Sequence, residues 1–132
     1  MEEAELDLVF ADFKALCEQQ RVVDDADLEA LMQKSMEHFG GKMDFILHSI
    51  GMSPNVRKNI GYTDTNYENF LKTLDISALS LHKVLQTAMK LDALSEWSSV
   101  VALTYIAAQR TFPGYNDMAE AKALLESIGR SF

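Results

Sequence analysis

The sequence predicts an α/β fold built on a parallel sheet. Three observations lead there. The run Val100-Val101-Ala102-Leu103-Thr104-Tyr105 is apolar almost throughout, as a strand covered on both faces must be. Met43 to Ile50 forms a second compact apolar run, interrupted only by Asp44, His48 and Ser49. Segments with helical spacing lie before, between and after these runs. The order helix, strand, helix, strand, helix is the one that crossover connections between parallel strands produce.

Each element has a local reason. Leu6, Val9, Phe10, Phe13, Leu16 and Cys17 recur at helical spacing over residues 1–20. Asp24 and Asp25 offer caps for a second helix, DADLEALMQKSMEHF, with Leu28, Leu31, Met32, Ser35, Met36 and Phe39 on one face. Gly40-Gly41 ends it, because glycine takes the left-handed turn that closes helices. After the first strand, Gly51-Met52-Ser53-Pro54 breaks the chain and residues 55–63 read as a polar loop. Asp64 to Leu91 reads as one long helix capped by Thr63 or Asp64, and Asp92 to Trp97 as a turn. Past the second strand, Pro113-Gly114 marks a loop, and an Ala- and Leu-rich helix opened by Tyr115 follows. Two parallel strands rarely suffice as a sheet, so the chain reads as the middle of a larger domain.

Composition narrows the function. The chain has 132 residues, 48% of them hydrophobic, enough for one small core. A formal charge of -8 argues against nonspecific nucleic-acid binding, which needs a basic surface. The acidic start MEEAELD is unlike a secretory signal, and no apolar run is long enough to cross a bilayer. The lone Cys17 excludes an internal disulfide and fits a reducing cytoplasm. His38, His48 and His82 fall on three elements without ligand spacing, so no metal site is expected and they read as structural or surface. The acidic residues Glu2, Glu3, Glu5 and Asp7 read as a solvated helix face.

The chemistry concentrates in the last third. Lys122 lies seven positions after Tyr115, about two helical turns, so a phenol and an ammonium should share one face just past a parallel strand. The words GGKMDFILHSIGMSPN at 40–55, LKTLDISALSLHKVLQTAMKLDAL at 71–94 and SSVVALTYIAAQRTFPGYNDMAEAKALLESIGRSF at 98–132 carry a specific likeness in order and spacing. From about Asp27 onward the chain resembles the NADH-dependent enoyl-[acyl-carrier-protein] reductases, a branch of the short-chain dehydrogenase/reductase superfamily. The resemblance implies a partial Rossmann-like domain, a doubly wound parallel sheet truncated at both ends, over residues 26–132. Residues 1–25 read as a helical segment of unclear origin.

Residue roles follow from that resemblance. Tyr115 and Lys122 match the catalytic Tyr-x6-Lys pair, and Tyr105 matches the second active-site tyrosine ten residues upstream. Ser49, Ile50 and Gly51 match the strand-end turn that packs on the cofactor. Thr104 and Lys122 stand where the family approaches the nicotinamide ribose. Met52, Ser53, Tyr105, Tyr115 and Met118 match substrate-pocket positions. The implied cofactor is NADH (NAD+), the implied substrate an enoyl group on acyl carrier protein, and the implied assembly a cytoplasmic homo-tetramer of which the long helix forms an interface. The glycine-rich pyrophosphate turn does not occur among Gly40, Gly41, Gly51, Gly61, Gly114 and Gly129, and the last residues read as still inside the catalytic helix.

The chemistry asks for these residue types. An enoyl thioester that accepts hydride at its β-carbon builds charge on the thioester oxygen, and a hydroxyl aimed there stabilises it. A nearby ammonium holds ribose hydroxyls and favours the anionic form of a neighbouring phenol. Three other readings stay open at this stage. One is a non-catalytic remnant that binds a partner. A second is a ketoacyl reductase, whose usual spacing is Tyr-x3-Lys. The third is a small acidic helical interaction module.

Overall fold

A computed structural model describes residues 24–132, so the helix expected over residues 1–20, with Cys17, lies outside the described residues. Helix α1 (Asp25–Phe39) starts where the Asp24 carboxylate accepts hydrogen bonds from the backbone N–H groups of Ala26 and Asp27 at 3.0 and 3.2 Å. It ends at Gly40, whose φ of 71° is the left-handed turn expected, with the Gly41 N–H donating to Met36 O at 2.9 Å. Leu28 and Met32 are buried, while Phe39 at the end of the expected stripe is exposed with its ring against His38.

Strand β1 (Met43–His48) stops two residues before Ile50. The segment expected as polar loop holds a turn of helix instead, α2 (Pro54–Arg57). Its cause is local: Ser53 caps the Val56 N–H at 3.0 Å, and Pro54 occupies the first turn, where its missing N–H costs nothing. The long helix also begins later than Thr63 or Asp64. Tyr62–Asp64 forms a separate tight turn, and α3 (Tyr67–Leu74) is capped by Asn66, whose side chain accepts from the Asn69 N–H at 2.9 Å. The helix widens to a π turn over Asp75–Leu79 and resumes as α4 (Ser80–Lys90).

Asp92 turns the chain at a φ of 50°, and strand β2 (Leu94–Ala102) begins at once, so Leu94 to Trp97 are strand rather than turn. Ser95, Glu96 and Ser98 hide it from a reading based on apolar runs. A short 3-10 turn, Ile106–Ala108, follows, and α5 spans Met118–Gly129. Tyr115 therefore lies in the loop before α5 and does not open it. Gly114 (φ 78°) and Asn116 (φ 40°) both take left-handed backbone, which no helix can absorb. The helix ends at Gly129 rather than continuing through Phe132.

Strands β1 and β2 pair in parallel, with Ile46 opposite Val100, Leu47 opposite Val101 and His48 opposite Ala102. The register slips between Met43, opposite Leu94, and Phe45, opposite Ser99. Two apolar clusters seat helices on one side of this pair. Leu28 and Met32 of α1 meet Val84 and Ala88 of α4, with Met43 and Ile46 against them. Ala78, Leu81 and Leu85 meet Leu125 and Ile128 of α5, with Val100 and Ala102 against them. The alternating residues Phe45, Leu47 and Val101, with Leu103 just beyond, are exposed.

Candidate active site

The site forms where both strands end. Leu103, one residue past β2, donates its N–H to His48 O at 3.0 Å, so the pairing persists to the last residue of β1. The carbonyl of the same Leu103 accepts from Lys122 Nζ at 2.7 Å. The lysine of α5 is thereby pinned to the carboxyl end of the sheet, with only 7% of its surface exposed. Burial lowers its pKa. Gly51 completes the crevice. A Cβ built there would stand 3.6 Å from Lys122 Nζ and 3.8 Å from the Met118 methyl, so the turn after β1 touches α5 directly.

The two tyrosines meet each other. The Tyr105 and Tyr115 rings lie 4.7 Å apart at a tilt of 39°, and Phe112 packs edge-on to both. Burial, then the neighbouring Tyr105, raises the Tyr115 pKa. That direction disfavours the anionic phenol, so Tyr115 is a hydrogen-bond donor at neutral pH.

His48 underlies the crevice and is 2% exposed, not a surface residue. The Ser80 hydroxyl donates to Ile76 O at 2.6 Å, so the contact between His48 Nε2 and Ser80 Oγ, at 2.8 Å, has the imidazole as donor. Burial first and the charge of Lys122 second lower its pKa from 6.5 to about 4.

The structure thus brings Gly51, Met118 and Lys122 together, and pairs Tyr105 with Tyr115. Other expected residues are engaged elsewhere. Thr104, the residue after Leu103, donates to Glu126 Oε1 at 2.8 Å, one turn along α5 from Lys122. Ser53 is buried with its hydroxyl donating to Asp117 Oδ1, and its oxygen accepting from Val56. Met52 is held through its backbone: its N–H donates to Ser77 Oγ at 2.9 Å and its carbonyl accepts from the same hydroxyl at 3.0 Å. In the turn between His48 and Gly51, Ser49 is exposed and Ile50 partly buried. The supporting residues Asn55, Thr73, Ser77, Ser80 and Asp117 went unread in the sequence. The one available signal was the helical spacing of the hydroxyls at 73, 77 and 80.

The family model described as Enoyl-(Acyl carrier protein) reductase matches residues 4–132. The chain belongs to the enoyl-(acyl carrier protein) reductase family. Among its curated relatives, enoyl-[acyl-carrier-protein] reductase [NADH] 1 of Rhizobium meliloti is 36% identical over 109 residues, covering 83% of this chain and 39% of the relative. Among solved structures, FabI from Alistipes finegoldii is 66% identical with a TM-score of 0.82, covering 84% of this chain and 41% of that one. The NADH-dependent enoyl-[acyl-carrier-protein] reductase of Aquifex aeolicus is 34% identical with a TM-score of 0.75. The chain thus spans about two fifths of the length of the relatives it matches. The helix-backed parallel pair is the corresponding part of a Rossmann-like, doubly wound fold. Among the described residues no helix is long and apolar enough to cross a membrane.

Proposed function

We propose that this chain carries the catalytic centre of an NADH-dependent enoyl-[acyl-carrier-protein] reductase, which saturates the trans-2 double bond of an enoyl thioester in fatty acid synthesis. The observation that supports this reading most is the convergence of Gly51, Met118 and Lys122 at the carboxyl ends of two parallel strands, where open parallel sheets bind their ligands. The residues present fit a nicotinamide nucleotide. Gly51 leaves uncovered a surface that any side chain would fill, and the Lys122 ammonium stands beside it as a donor for ribose hydroxyls.

NADH, when bound, supplies the hydride. The chain's own residues do the rest. Lys122, fixed by Leu103 O, orients the ribose and with it the face presented to the substrate. Tyr115, held protonated by burial, points a hydroxyl at the thioester oxygen and stabilises the enolate as charge develops. Tyr105 packs on Tyr115 and limits the directions its ring can take. Met118 lines the acyl side of the crevice, next to Gly51. In this reading Ser49 and Ile50 pack on the cofactor, Thr104 stands near the ribose, and Met52 and Ser53 shape the substrate pocket.

The substrate rides on acyl carrier protein, and the working form is a homo-oligomer in the cytoplasm. The 132 residues alone bind NADH weakly, because the glycine-rich phosphate turn is not among them. The test is NADH oxidation with a crotonyl thioester by a chain extended to the length of its relatives. Turnover should fall about 100-fold or more in Tyr115→Phe. Unchanged turnover in that variant refutes the role given to Tyr115, whereas none in the parent favours the competing reading of a non-catalytic, partner-binding segment. The exposed apolar face around Phe45 and Leu47 is the feature that would serve such a partner.

A further inference from the structure

We infer that Asp117 is a positioning residue that locks the Tyr115 loop to the strand-end turn, through Ser53, Asn55 and Thr73. The carboxylate stands two residues after Tyr115 and one before α5, and none of its surface is exposed. A carboxylate removed from water must recover its hydrogen bonds inside the protein. Here each oxygen does so from a different element. Oδ1 accepts from the Ser53 hydroxyl at 2.5 Å, on the turn that continues from Gly51 and Met52. Oδ2 accepts from Asn55 Nδ2 at 2.8 Å and from the Thr73 hydroxyl at 2.8 Å, the latter shared with Asn69 O.

The partners are equally buried and equally committed. Asn55 and Thr73 have no exposed surface, and Asn55 also donates to Asn66 O and accepts from Asn69 Nδ2. One carboxylate therefore ties together the turn after β1, the start of α2, the last turn of α3 and the loop that carries the phenol. The backbone here is held by turns rather than by a helix: the Tyr115 N–H donates to Phe112 O at 3.3 Å and its carbonyl accepts from the Met118 N–H at 3.1 Å, with Gly114 and Asn116 in left-handed conformations on either side. A neighbouring clamp extends the device. Asn116 Oδ1 accepts from the Asp117 N–H at 2.7 Å and from Thr65 at 2.9 Å, while its Nδ2 donates to Ile60 O at 2.9 Å.

Charged hydrogen bonds in a dry interior are short and directional, so they fix angles that apolar packing leaves loose. The consequence for the reaction rests on the function proposed above. Loosening Asp117 lets the phenol drift relative to Gly51 and Lys122, and a displacement of about 1 Å at a reacting group costs about 100-fold in rate. Binding of the nucleotide, which relies on Gly51 and Lys122, is touched less.

The test uses Asp117→Asn, Thr73→Val and Thr73→Ser. In the extended chain, Asp117→Asn and Thr73→Val should lower kcat about tenfold to 100-fold with KM for NADH changed less than about threefold. Thr73→Ser keeps the hydroxyl and should restore kcat. In the 132-residue chain, carbon-13 NMR of the tyrosine ring reads the Tyr115 titration. Its raised midpoint should move toward an ordinary phenol in Asp117→Asn, with the circular dichroism of the fold retained. A folded Asp117→Asn protein with the parental Tyr115 titration overturns the inference, whatever the activity. So does a Thr73→Val enzyme with parental kcat. If the parent shows no NADH-dependent turnover, the proposed function fails, and the titration alone then decides the role of Asp117.

Discussion

The two sides of the parallel pair differ in kind. On the helix side, strands, helices and loops are joined by hydrogen bonds among side chains that water does not reach, such as Asp117 with Thr73 and His48 with Ser80. On the other side Phe45, Leu47, Val101 and Leu103 stand open, Phe45 with 56% of its surface exposed. The comparison separates two tasks that a sheet usually performs together. Placement of the crevice residues depends on the helix side alone, because Lys122, Gly51 and the Tyr115 loop are all anchored there. The open side contributes apolar area without precision, since dispersion and burial do not specify direction.

Breaking the anchored side should therefore be costly, and the steepest loss should come from the lysine. Lys122→Met keeps the unbranched apolar stem and removes the bond to Leu103 O. In a chain extended to the length of its relatives it should lower kcat/KM by about 100-fold to 1,000-fold, read from NADH oxidation. A loss below tenfold would mean that the crevice does not depend on this amine.

Acid should reach the anchored side through His48. The unfolded imidazole takes a proton near pH 6.5, whereas the folded one resists until about pH 4. The unfolded state then binds more protons in that window, so stability is whole above pH 6.5 and is lost as pH falls toward 4. The full effect is about 3 kcal/mol. Urea titrations of the 132-residue chain at several pH values measure it, and His48→Gln should flatten the dependence. A parent whose midpoint stays constant from pH 7 to 4 would show that His48 is not held neutral.

Smaller effects sharpen the contrast. Ser77→Ala leaves the Met52 amide without its acceptor and should cost about 1–3 kcal/mol, with faster hydrogen exchange at Met52. Leu47→Thr on the open side should change stability by no more than about 0.5 kcal/mol in the same chain. A larger loss on the open side than on the anchored one, read from denaturation midpoints, would abolish the distinction.

Legibility in the sequence follows the same division. The parallel pairing and the words around Gly51, Tyr105 and Lys122 could be read because strand runs and local motifs keep their signal in adjacent residues. Met118 was legible in the same way. Asp117 was not, since its partners lie 44 to 64 positions away and a polar contact across that distance leaves no period in the chain. Asn55 passed for loop because asparagine usually is exposed there, and only the folded structure shows it sealed. The placement of Tyr115 on a helix face failed for another reason. Sequence spacing put the phenol two turns from Lys122, but left-handed backbone at Gly114 and Asn116 keeps it in a loop. It is seated by Tyr105 and Phe112 instead.

Trp97 is 90% exposed on β2 and is the sole tryptophan of the chain. Its indole therefore carries a built-in optical signal free of overlap from any second such ring. Whatever settles over that strand, be it another polypeptide or a further part of the same one, will shift its emission to the blue and shield it from iodide.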